Sequence, residues 1–233
     1  MSRNVRAQTA YRACELDHIV VTASALAAGA AWVESALGVT LQAGGEHQRM
    51  ATHNALLRLG DTAYMEVIAP NPASARSDGP RWFELDRMNY DDLPRLATWV
   101  ARSADVRATT AACKGDFGDI EPMSRGSLNW LITIPPRGAL ISGGVVPMLI
   151  EWRVEKHPAR ALEEKGCALR QLDLFHADVD SLAEILDCLE IRNGLEIHQL
   201  PTGARPYLVA FIETPQGLRS IGGPPDRRKS SAK

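Results

Sequence analysis

The chain has 233 residues, 45% hydrophobic, 23% charged and 6% aromatic, enough apolar material for one large globular domain or two small ones. Its 26 lysines and arginines against 28 acids leave a net charge of −2, which argues against nucleic acid or an anionic membrane as a partner. The most apolar stretch, Ile19 to Val33, is broken by Thr22, Ser24 and Gly29 and ends at Glu34, too short to cross a bilayer. Arg3, Arg6 and Arg12 are not followed by an apolar core, so no secretory signal is expected. Cys14, Cys113, Cys167 and Cys188 lie 99, 54 and 21 residues apart with no CxxC pair, and the expectation is reduced thiols in a cytoplasmic protein. A small molecule is the expected partner.

Residues 1–14 and 223–233 read as tails, the second polar, basic and expected to be disordered. Leu16 to Val21 is a β-branched run and reads as a buried strand. Ser24 is placed to cap the next helix, in which Leu26, Ala30, Val33 and Leu37 share one face and Gly38 supplies the stop. Val39 to Gln42 reads as a strand and Gly44-Gly45 as a turn. Asn54 to Leu59 and Ala63 to Ala69 then form a hairpin about Gly60-Asp61. This predicts a βαβββ unit over 15–72.

A linking helix is expected near Arg81 to Met88. A second unit over 94–153 follows: strand Leu96 to Ala101, helix Ser103 to Cys113, and strands Phe117 to Glu121, Leu128 to Ile134 and Pro147 to Trp152. A third start, 167–215, has strand Leu169 to Ala177 and helix Ser181 to Glu190. Leu182, Ile185, Leu186 and Leu189 share one face of that helix, and Ser181 and Glu184 have capping-box spacing. Glu196 to Leu200 and Tyr207 to Thr214 close a partial βαββ unit. The fold class is α+β with hairpin sheets, and the absence of GxGxxG argues against a dinucleotide-binding sheet.

P-loop, HExxH, GxSxG and zinc-type Cys/His spacings are absent. Attention falls on His18, Glu66 and Glu151. Glu66 and Glu151 each interrupt an otherwise apolar strand, where a carboxylate is costly without a cation or strong donors. Either each faces water on a half-covered sheet, or the two share a cation. Thr98 stands 53 residues before Glu151 in the first strand of the second unit, much as His18 stands 48 before Glu66.

Leu-Asp-His-Ile-Val-Val at 16–21 and the run from Leu57 to Pro70 resemble the vicinal oxygen chelate superfamily. Gly44-Gly45-Glu46-His47, Thr52-His53-Asn54, and Leu149-Ile150-Glu151-Trp152 with His157-Pro158 are similar to its glyoxalase-like domain branch. The resemblance spans about 15–214 and is strongest in the first unit. It implies paired βαβββ units whose curved sheet encloses a cavity with a divalent metal ion (Mn, Fe, Co, Ni, Zn or Mg). The implied ligands are His18, Glu66 and Glu151. The fourth position falls on Thr98 or Trp99, poor ligands, and this puts the metal in doubt.

His53, with Asn54, is expected at the cavity mouth; His47 is read as a loop histidine, and Trp130 and Trp152 are placed to line a pocket for an apolar ligand. Arg125 reads as a solvated loop arginine, with reception of a ligand carboxylate as the alternative; His176 reads as structural, with metal ligation as the alternative, His157 as a turn residue and His198 as exposed. Two functions compete. One is a metal-dependent lyase, isomerase or epimerase that stabilises an enolate, with Glu151 or Glu66 as base. The other is a metal-free binding or sequestration protein on the same scaffold. A homodimer is left open.

Overall fold

The structure, a computed structural model, describes residues 13–75, 79–113, 115–191 and 193–225. Most of both expected tails lies outside the described residues. Cys14, at the edge of the first, is buried and donates its N–H to the Leu189 carbonyl at 2.9 Å.

The first unit runs β1 (Glu15–Thr22), α1 (Leu26–Leu37), β2 (Gln42–His47), β3 (Thr52–Arg58) and β4 (Tyr64–Pro70). β1 is central, and Ile19, Val20 and Val21 are buried on both of its faces. α1 begins at Ala25 without a side-chain cap, because Ser24 Oγ donates instead to the Tyr90 carbonyl at 3.0 Å. Gly38 closes the helix with φ 71°. Gly44 and Gly45 lie inside β2, at an irregularity in its pairing with β3, rather than in a turn.

The second unit runs β5 (Arg95–Arg102), α2 (Val106–Ala112), β6 (Asp119–Arg125), β7 (Leu128–Ile134) and β8 (Met148–Trp152). The linking helix expected at 81–88 is a single turn, Leu85–Arg87. Both units are wired alike, first strand parallel to last, and β1 joins β5 antiparallel in one eight-stranded sheet of order β2-β3-β4-β1-β5-β8-β7-β6. The sheet curls into a half-barrel. Its two edges come together: Arg49, just after β2, pairs with Glu121 on β6 at 2.8 Å.

The C-terminal elements are β9 (Ala168–His176), α3 (Val179–Cys188), β10 (Leu195–Gln199), β11 (Tyr207–Thr214) and β12 (Gly217–Gly222), one strand more than expected. They form a second sheet of order β10-β9-β11-β12, in which β9 is parallel to β10, so the wiring differs from the other two units. α3 is capped one turn earlier than the capping-box spacing suggests: the Asp178 carboxylate accepts from Ser181 N at 3.1 Å.

Two apolar cores result. Outside the half-barrel, Ile19, Trp99 and Leu149 pack with Val33, Leu182, Leu174 and Ile212 of the helices and second sheet. On the inner face, Val20, Ile68, Val100 and Met148 pack with Trp82, Phe83 and Trp130. Cys113 and Cys188 are joined by a disulfide across 75 residues, contrary to the expectation of four reduced thiols. Chain spacing could not show it, because it depends on the ends of α2 and α3 meeting in space. Cys14 and Cys167 are free and buried.

Candidate active site

The half-barrel holds a small cavity, about 30 Å³ in volume, with one polar side and one aromatic side. Trp82, Phe83, Trp130 and Trp152 form the aromatic side, and His18, His47, Asn54, Tyr64, Glu66 and Arg125 the polar one.

His18 is held from behind. Its Nδ1 lies 2.7 Å from Asp17 Oδ1, and its ring stacks on Tyr64 with centroids 4.5 Å apart. A bulge in the β1–β5 pairing between Leu16 and His18 accompanies this pairing of neighbouring side chains. Asp17 is fully buried and also accepts from Trp152 Nε1 at 2.9 Å and lies 2.8 Å from His157 Nε2. Burial pushes its carboxyl upward, but the His157 and His18 bonds and charges outweigh that and hold it well below the usual carboxylate range. An ionised Asp17 fixes Nδ1–H as donor and leaves Nε2 facing the cavity.

Glu66 Oε2 stands 3.7 Å from His18 Nε2. Its other oxygen accepts from Asn54 Nδ2 at 2.5 Å. Asn54 Oδ1 in turn accepts from Gly45 N at 2.8 Å and Arg125 Nη1 at 3.2 Å. The two glycines make this possible: a Cβ on Gly44 would sit 2.0 Å from Asn54 Oδ1, and one on Gly45 2.8 Å from Arg125 Cδ. Arg125 Nη1 also lies 3.4 Å from His47 Nε2. Burial lowers His47 to about 4, with Glu66 opposing and Arg125 and His18 reinforcing, so His47 is neutral at pH 7. Burial and the Asp17 and Glu66 charges raise Tyr64 and keep it protonated.

His18, Glu66, Asn54, Trp130 and Trp152 are therefore gathered in one cavity. Glu151 is not. β8 turns Ile150 and Trp152 to the cavity, so the intervening Glu151 points to the opposite face by strand alternation. There its Oε2 accepts from Val106 N at the start of α2 at 3.0 Å, and Oε1 pairs with Arg153 at 2.8 Å. Thr98 and Trp99 are buried and bonded to the Gly144 and Val145 carbonyls. His53 alternates with Asn54 on β3 and is absent from the cavity lining, its pKa lowered by partial burial against the opposing effect of Glu46. Asp17 and Tyr64 also belong to the site, as do His47 and Arg125, for which the sequence favours a loop histidine and a solvated arginine over a role at the cavity.

A divalent cation fits this donor set poorly. His18 Nε2 and Glu66 Oε2 are two donors, and among the described residues no third His, Cys, Asp or Glu donor comes within 4.8 Å of both. Arg125 contributes a guanidinium to the same polar wall. It bonds there to neutral Asn54 and His47, and among the described residues no carboxylate forms an ion pair with it. Trp82 Nε1 is buried without a hydrogen-bond partner. A second cavity of about 210 Å³ shares Tyr64 and Arg125 as walls and is otherwise lined largely by apolar groups, among them Leu56, Leu128, Pro158 and Leu162.

Two like-wired βαβββ units in one curled sheet, with polar side chains converging inside it, define a glyoxalase-like fold. The model of the glyoxalase-like domain matches residues 16–189, and the chain belongs to that family. A hypothetical protein from Staphylococcus aureus has a similar fold, with TM-score 0.54 and 12% identity over 91% of this chain and 87% of that one. Methylmalonyl-CoA epimerase from Mycobacterium tuberculosis aligns with TM-score 0.37 and 15% identity over 65% of this chain and 94% of its own. A Streptomyces coelicolor methylmalonyl-CoA epimerase variant in complex with 2-nitronate-propionyl-CoA gives 0.42 and 18% over 61% and 100%. No curated protein matches the chain significantly by sequence. Among the described residues no helix is long and apolar enough to cross a membrane.

Proposed function

We propose that this glyoxalase-like protein is an enzyme of the isomerase, epimerase or lyase type that moves a proton beside a carbonyl or carboxylate group of a small, partly apolar acid. The observation that carries the reading is Arg125, a half-buried cation with only neutral partners, set beside the His18–Glu66 pair. An unmatched guanidinium in a cavity favours an anionic oxygen of a ligand. As the neighbouring carbon loses its proton, charge grows on that oxygen, and a fixed cation stabilises it more than it stabilises the starting acid. Glu66, oriented by Asn54, is the base that takes the proton; His18, oriented by Asp17, accepts it from Glu66 at Nε2 and returns it to the substrate. The indole N–H of Trp82 offers a further donor to the ligand. The substrate's apolar part lies on Trp130 and Trp152 or extends past Arg125 into the second cavity.

The test is proton exchange in D₂O, followed by NMR, for a panel of 2-oxo acids and α-substituted carboxylates. Wild type should exchange the α-hydrogen of at least one compound, and Glu66→Gln should slow that exchange by ~10²-fold or more while still binding it. Binding without exchange in wild type would instead make the cavity a sequestration site, the function its aromatic walls would serve alone. No binding of any carboxylate would end the reading.

A further inference from the structure

On the outer face of the second sheet, away from the cavity, three metal-binding side chains meet. Glu196 and His198 stand two apart on β10 and share one face, and Asp173 on β9 is the direct cross-strand partner of Glu196. Asp173 Oδ2 lies 3.0 Å from His198 Nε2, and Glu196 Oε2 lies 3.7 Å from it. All three donor atoms fall within 4.8 Å of one another. Ligands at ~2.0–2.2 Å from one ion are separated by about 3.0–3.5 Å, so the triangle needs only small side-chain movement to close on a cation.

The surroundings fix the donors in place. Asp173 is 6% exposed, and its Oδ1 accepts from Gln171 Nε2 at 2.6 Å, which leaves Oδ2 turned to the histidine. The His198 ring is stacked on Phe175 with centroids 4.5 Å apart, and Phe175 on Tyr207 at 4.3 Å, so its plane cannot swing freely. Nε2 is enclosed, yet despite its proximity to Asp173 it makes no hydrogen bond of acceptable geometry. The His198 side chain as a whole is 36% exposed, so an ion can reach it, and a shared cation would satisfy both the enclosed nitrogen and the two carboxylates beside it.

We infer that Asp173, Glu196 and His198 form a divalent transition-metal site that ties edge strand β10 to β9, separate from the cavity and independent of its proposed chemistry. One imidazole and two carboxylates suit Zn²⁺, Mn²⁺ or Co²⁺, with water filling the remaining positions.

Zn²⁺ is the probe, titrated by calorimetry into chelator-treated full-length protein. Wild type should bind one ion, and His198→Gln and Glu196→Gln should each weaken it by ~100-fold or more. Glu196 is exposed on an edge strand, so its variant keeps the fold, which circular dichroism verifies. His18→Gln, in the cavity, should bind Zn²⁺ as wild type does. Zn²⁺ should raise the melting temperature of wild type and leave that of Glu196→Gln unmoved. No binding by wild type would overturn the site and leave a plain histidine–carboxylate contact. Binding lost in His18→Gln but kept in both β10 variants, or kept in all three, would overturn it by placing the ion elsewhere.

Discussion

Arg125 Nη1 reaches Asn54 Oδ1 at 3.2 Å although 71 residues separate them, because β6 and β2 are opposite edges of one sheet curled until they meet. With the Arg125–His47 and Arg49–Glu121 contacts it links the two units where their edges meet, and it places a cation in the wall that holds a carboxylate–histidine pair.

Replacing Arg125 tests that role. Arg125→Leu keeps the apolar stem but removes the charge-assisted bonds, and affinity for carboxylate ligands should fall by roughly 10- to 100-fold, about 1.5–3 kcal/mol. Calorimetry with an acid and its amide would check it: the acid should lose affinity in the variant while the amide changes little.

Gly45→Ala should act on the same contact from the other side. Its Cβ would meet Arg125 Cδ at 2.8 Å, so the guanidinium must shift away from Asn54. Carboxylate binding should drop while the melting temperature moves by only a few degrees.

Glu151 behaves as a structural group in this fold. Glu151→Ala removes the acceptor for Val106 N and should cost about 1–3 kcal/mol in denaturant unfolding. Ligand affinity in the cavity should stay at the wild-type value. A selective loss of affinity with unchanged stability would restore Glu151 to the site.

His47 sets an acid limit on stability. It falls from 6.5 to about 4 on folding, so below pH 6.5 the unfolded chain takes up a proton that the folded chain refuses. Stability should therefore decline as pH falls from about 6.5 to 4, by up to about 3 kcal/mol at ~1.4 kcal/mol per unit. Asp17, held low in the fold, adds a further loss only at lower pH, below its ordinary range. Urea unfolding across pH 4 to 8 measures this, and His47→Gln should flatten the decline between pH 6.5 and 4.

Reducing Cys113–Cys188 releases a 75-residue loop, and chain-entropy arguments give a loss of up to about 4 kcal/mol. Thermal unfolding with and without reductant should show the difference, and Cys188→Ser should reproduce the reduced form.

Local pattern was enough to find much of this protein. Period-two and β-branched runs located Leu128–Ile134 and Tyr207–Thr214 with their bounds intact, and the order of strands and helices marked out the like-wired pair. The motif around Asp17-His18 and the lone carboxylate in Tyr64–Pro70 pointed to two side chains that stand 3.7 Å apart, because neighbouring strands bring alternate residues to the same face. The same periodicity could not say which face of β8 turns inward. That depends on how the second unit joins the first, and the curl sends Ile150 and Trp152 to the cavity and Glu151 to α2. Arg125 is an ordinary strand-end arginine until β6 meets β2, and Cys113 is an unremarkable thiol until α2 reaches α3. Residues of these kinds acquire their roles from partners tens of residues away, and only the closed sheet brings those partners together.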